Sequence, residues 1–214
     1  MAPILYICLV CTLKDKAVRK TDKIDIFAVG FKGVWRNYPK KNIRKSIRFP
    51  FLASLIISGI IYLSEKNVID FITYLADLIT TVIPNILGFT LSGYALIIGL
   101  TDTETLQKMS KKDNDTKRPS LFQEVNSTFA FVLMALSSIV IIGLLVKLVI
   151  MADIYISFLP SWSASIVNIL TFFSLVFLVL YALVSIIDII KNVFNFGQFV
   201  HILNREKNVK GMTK

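Results

Sequence analysis

The sequence predicts an all-α membrane protein with four transmembrane helices, both termini in the cytoplasm and a basic cytoplasmic N-terminal segment. Three observations lead there. Of the 214 residues 55% are hydrophobic and only 18% charged, with a mean hydropathy of +0.67. A soluble domain carries about 25% charged residues, so this apolar mass needs a solvent other than water. Second, charges are absent from four long runs. Third, the basic residues that produce a net charge of +10 gather in the connections that belong to one side of the membrane.

The spans follow from the uncharged runs, because an Asp, Lys or Arg at mid-bilayer costs about 2.5–3.5 kcal/mol even on the mildest insertion scale. Sixteen residues separate Arg48 from Glu65, 24 separate Asp77 from Asp102, 22 separate Glu124 from Lys147, and 34 separate Asp153 from Asp188. About 20 apolar residues cross some 30 Å of hydrocarbon. The first run is short, and Arg48 and Glu65 must snorkel to the interfaces, which gives a span over 47–64. The second and third give 71–100 and 126–151. The last is too long for one helix; Pro160 and Ser161-Trp162-Ser163 interrupt it, so a loop is expected at 152–164 and a span over 165–190. The domain plan is thus a cytoplasmic or interfacial region 1–46, a four-helix domain 47–190 with an inner loop 101–125, and a cytoplasmic tail 191–214.

Orientation follows from the Lys and Arg count. Segments 14–48, 101–125 and 191–214 hold twelve, five and five of the 24, leaving Lys66 on the other side and Lys147 within a span. The positive-inside rule then places both termini in the cytoplasm, with Tyr155 and Trp162 at the outer interface. Met1–Leu13 is apolar but too short to span and has no basic n-region, so no signal peptide is expected. It has three available roles: lying in the interface, packing under the bundle, or pairing with Ile24–Val34, where Gly30, Gly33 and Trp35 suggest a turn in a small β unit. Cys8 and Cys11 then face a reducing compartment and should not pair. Two Cys and the single His201 do not make a structural zinc site, and no metal or cofactor is expected.

Four patterns stand out as candidate sites. Arg36, Lys40, Lys41, Arg44, Lys45 and Arg48 precede the first span, with Lys40, Arg44 and Arg48 on one helical face. Near an anionic inner leaflet each such charge contributes about 1 kcal/mol, so the cluster suits membrane lipids; a docking surface for an acidic cytosolic protein is the alternative. Direct nucleic-acid contact is not expected, since no nucleic-acid motif accompanies the charge. In the second span Asp77, Thr81, Asn85, Gly88, Ser92, Ala95 and Gly99 recur in steps of three and four, forming a small or polar stripe along an apolar helix. Such a stripe serves close helix packing or, repeated in an oligomer, lines a pathway. Pro84 invites a kink or a break just before Asn85.

The third pattern, at the cytoplasmic end of the fourth span, places Tyr181, Ser185, Asp188, Asn192 and Asn195 on one face, followed by Phe194, Phe196, Phe199 and His201. Helix packing with an amphipathic extension, or a partner-binding tail, accounts for it. The fourth is a pair. Lys147 lies roughly 6 Å inside the outer end of the third span and Asp77 roughly 9 Å inside that of the second. Similar depth makes Asp77 and Lys147 a candidate ion pair that fixes assembly or gates a pathway, unless Lys147 snorkels outward.

The sequence has no HExxH, P-loop or nucleophile elbow, and no set of inward carboxylates with histidines; catalysis by this chain is not expected. Four short helices do not enclose a substrate path, so a homo-oligomer is the expected way to bury the stripes. The four-pass, basic, cytoplasm-facing layout and the run from Ile83 to Tyr94, IPNILGFTLSGY, resemble membrane subunits encoded in bacterial antiphage defence operons, above all that of the Kiwa system. Similar layouts occur among accessory membrane proteins of RNA-targeting CRISPR loci. The Kiwa resemblance implies a tetrameric inner-membrane sensor or scaffold that binds a DNA-binding cytosolic effector, and carries over no functional residue. Two functions are therefore expected: an oligomeric inner-membrane scaffold for a cytosolic partner or, alternatively, an oligomeric pore that perturbs the membrane potential.

Overall fold

The computed structural model describes residues 30–64, 67–111, 119–152 and 161–212. Among the described residues there are six helices and no strand: α1 Gly30–Asn37, α2 Lys40–Leu63, α3 Val68–Leu100, α4 Thr103–Ser110, α5 Leu121–Met151 and α6 Ser161–Met212. Four of them, α2, α3, α5 and α6, are long and apolar enough to cross a membrane, through stretches Ser46–Leu63, Val68–Gly99, Leu121–Met151 and Trp162–Leu203. The four expected spans overlap these helices. The fold is an all-α bundle of the multi-pass membrane type.

Local chemistry sets several helix starts. Asn67 caps α3, its Oδ1 accepting from the Ile69 amide at 3.1 Å, and Asp70 places a negative charge on the positive end of the helix dipole. Ser120 and Gln123 form a reciprocal capping box at α5: the Gln123 amide donates to Ser120 Oγ at 3.3 Å, and the Ser120 amide donates to Gln123 Oε1 at 3.0 Å. Gly30, at φ +67°, takes the left-handed conformation that only glycine adopts without strain.

Three details depart from the sequence reading. Gly30 and Gly33 belong to helix α1, not to a β turn, because Phe31, Val34, Trp35 and Tyr38 recur at helical spacing and Trp35 and Tyr38 meet Phe131 of α5. Helix α3 runs unbroken through Pro84, as α2 does through Pro50; the proline ring removes one donor without ending the helix. Ser161-Trp162-Ser163 opens α6 instead of lying in a loop. Helix α6 continues past residue 190 to Met212 without interruption. Residues 1–29 with Cys8 and Cys11, Lys66, Tyr155 and Pro160 lie outside the described residues.

The packing order is not the sequence order. Helix α2 lies along α6, and α6 also touches α3 and α5, while α1 and α4 rest on α5. Helices α3 and α5 form an antiparallel pair, in which Ile79 faces Gly143: a β-carbon on Gly143 would fall 2.4 Å from Ile79 Cγ2. A glycine there lets the two backbones approach, the usual device where lipid tails leave no hydrophobic drive between helices. The core collects Ile79 and Ile83 of α3, Phe129, Val132 and Leu136 of α5, and Leu175 and Ala182 of α6. Outside it, large apolar side chains such as Leu63, Phe89 and Met151 are exposed. An apolar exterior this extensive suits hydrocarbon and would aggregate in water.

Candidate functional site

Helix α3 buries the smallest share of its most apolar stretch, 11% against 22–28% for the other three. Its core face is Ile72, Ala76, Ile79 and Ile83. The polar stripe lies on another side: Thr81, Asn85, Gly88, Ser92, Ala95 and Gly99 are exposed and Asp77 is half-buried. A β-carbon added at Gly88 or Gly99 would meet nothing within 4 Å. Among the described residues, the stripe from Thr81 to Gly99 therefore does not pack against another helix. Its donors turn back on the helix itself: Thr81 Oγ1 donates to the Asp77 carbonyl at 2.7 Å, Asn85 Nδ2 to the Thr81 carbonyl at 3.0 Å, and Ser92 Oγ to the Gly88 carbonyl at 2.9 Å. These bonds reduce the cost of holding the groups in an apolar medium, yet leave the Asn85 carbonyl oxygen and one of its amide hydrogens to spare.

The top of this stripe meets a cation. Lys147 Nζ on α5 sits 2.7 Å from Asp77 Oδ1, with side-chain exposures of 38% and 50%. The structure thus brings together the two residues paired from their depth. In water a pair this open stabilises by only about 0.2–1 kcal/mol. In hydrocarbon either charge alone is far costlier, so each residue there makes the other tolerable. At the other end of the same helix pair, Tyr94 donates its hydroxyl hydrogen to Asn126 Oδ1 and its ring lies 5.2 Å from that of Phe129. Polar contacts thus close the α3–α5 pair above and below its apolar middle.

The stripe on α6 behaves differently from that on α3. Ser185 is buried and donates to the Tyr181 carbonyl at 2.8 Å; Asn192 donates to the Asp188 carbonyl at 3.0 Å. Asp188 accepts from Ser46 Oγ of α2 and lies 3.4 Å from Lys191 Nζ. This face is turned inward and ties α2 to α6. Near it Tyr38, the residue following α1, is buried with its ring 4.3 Å from that of Phe131. Burial first, then the neighbouring Tyr181 and Asp188, push the Tyr38 phenol above its usual ionisation range.

Of the basic cluster, Arg36 lies in the last turn of α1, and Arg44 and Arg48 are exposed on α2. Lys40, Lys41 and Lys45 belong to the same helix, and their side chains lie outside the described set. No group of three His, Cys, Asp or Glu side chains able to hold a metal occurs among the described residues.

Three relationships escaped the sequence: Tyr94 with Asn126, Gly143 against Ile79, and the aromatic group of Trp35, Tyr38 and Phe131. The sole glycine of α5 was the available signal for the second. Comparison with family models, curated proteins and solved structures finds no match.

Proposed function

We propose that this chain is a homo-oligomeric membrane scaffold, in the bacterial inner membrane with both termini in the cytoplasm, that holds a soluble protein partner on its basic face. The supporting observation is the outward polar stripe of α3: Thr81, Asn85, Gly88 and Ser92 are exposed on a helix otherwise suited to lipid. A row of hydrogen-bonding groups is poorly solvated by acyl chains and well solvated by the same row on a second copy. Small residues in it allow close approach, and Asp77–Lys147 at its end offers a dipole for a neighbour to read. Tetrameric assembly and a role in antiphage defence follow the resemblance of layout and of the run Ile83–Tyr94. A cytosolic protein suits Arg36, Arg44, Arg48 and the exposed apolar groups Phe194 and Ile202 on the far part of α6.

The same stripe favours a second reading, a pore in which copies of α3 line a water path. Native mass of the detergent-solubilised protein and ion flux from proteoliposomes separate the two. The scaffold predicts a discrete oligomer with no flux and co-purification of a soluble partner. Robust conductance from the protein alone would replace it by the pore, and a monodisperse monomer would overturn both.

A further inference from the structure

Beside α1, against the middle of α5, lies a cavity of about 590 Å³ that neither the stripe nor the ion pair uses. That volume lies within the roughly 300–1,000 Å³ typical of small-molecule sites. Its walls come from Phe31 and Trp35 of α1, Phe131 and Ala135 of α5, and Tyr181 of α6, and they are overwhelmingly apolar. The one charged wall residue is Lys32, which is exposed and pairs with no carboxylate among the described residues. Phe31 is 78% exposed and Trp35 55% exposed, although both line this groove. The Trp35 ring centroid stands 6.1 Å from that of Phe131, with a tilt of 49°, so the two rings do not close the groove between them.

We infer that this groove binds one anionic glycerophospholipid, an acyl chain lying between α1 and α5 and the phosphate meeting Lys32. The chemistry of the wall selects that occupant. An apolar trough beside a single ammonium, on an amphipathic helix carrying a tryptophan, matches a molecule with a long hydrocarbon tail and one negative head. A soluble metabolite would leave most of the trough unfilled. The ammonium of Lys32 favours an anionic head over a zwitterionic one.

The test uses the full-length protein in a neutral detergent, titrated with phosphatidylglycerol or phosphatidylcholine and read by native mass spectrometry. The spectrum reports protein stoichiometry and lipid adducts separately, so the lipid site and the oligomer can fail independently. One phosphatidylglycerol per chain should be retained in preference to phosphatidylcholine. Lys32→Gln, at an exposed position, should weaken retention about fivefold, the loss expected for one interfacial cation. Ala135→Trp, which fills the trough, should abolish it. A photoreactive phenylalanine analogue replacing Phe31 should capture lipid. Equal retention of the two lipids, unchanged affinity in Lys32→Gln, or capture of residues 1–29 or of a second copy by the photoreactive group would each overturn the assignment.

Discussion

Lys147 Nζ stands 2.7 Å from Asp77 Oδ1, so a cation on α5 and an anion on α3 neutralise each other where both helices are otherwise apolar. Removing one partner strands the other. Asp77→Asn or Lys147→Met alone should destabilise the membrane-inserted protein by up to about 2.5–3.5 kcal/mol, the insertion cost of a lone charge. The exchanged pair Asp77→Lys with Lys147→Asp should recover most of that loss. Reversible unfolding in bicelles measures all three; if the exchange fares no better than the singles, the contact contributes nothing.

Gly143 predicts a steric counterpart. Any β-carbon there lands 2.4 Å from Ile79 Cγ2 and 3.0 Å from Ile79 Cβ, so the α3–α5 contact must open. Gly143→Ala should cost about 1–3 kcal/mol through overpacking. Adding Ile79→Val, which removes one methyl group from the crowded side chain, should return part of it. Thermal unfolding of the single and double variants checks the coupling.

Gly88 predicts the opposite. Among the described residues nothing would meet its β-carbon, so Gly88→Ile should leave the stability of the single chain within about 0.5 kcal/mol of the parent. Assembly should suffer instead, because the added side chain stands on the face assigned to the neighbouring copy. Cross-linking yield in native membranes would report this, and an unchanged yield would move the contact elsewhere.

Much of this was legible from residue order, but unevenly. Asp77 and Lys147 could be paired because two antiparallel spans fix depth by counting, and one ionisable group falls near the outer end of each. The stripe from Asp77 to Gly99 was legible as a shared face, since period alone decides that. What the face meets was not, because the direction depends on Ile72, Ala76, Ile79 and Ile83 winning the core against helices far away in sequence. Helix α1 was misread: two glycines suggested a turn, while the spacing of Phe31, Val34, Trp35 and Tyr38 spelled an amphipathic helix. Tyr94 with Asn126 needed the α3–α5 register, and no local pattern supplies that.

Tyr38 ties the α1 end to pH. Its phenol ionises above the ordinary value of 10.0 in the folded state, chiefly through burial. Below pH 10.0 both folded and unfolded chains keep the proton, and the contribution of Tyr38 is complete. Above it the unfolded chain releases the proton first, binds fewer protons than the folded one, and stability falls as pH rises. Tyr38→Phe should remove that part of the alkaline loss, which unfolding curves and tyrosinate absorbance together can follow.

Helix α6 continues without interruption from Ser161 to Met212. At 1.5 Å per residue it is a rod of about 78 Å, more than twice the roughly 30 Å that hydrocarbon requires. Asp188 and Ser46 grip it part-way along. The 24 residues beyond Asp188 reach about 36 Å, so a tilt of roughly 10° about the grip would carry the far end some 6 Å sideways.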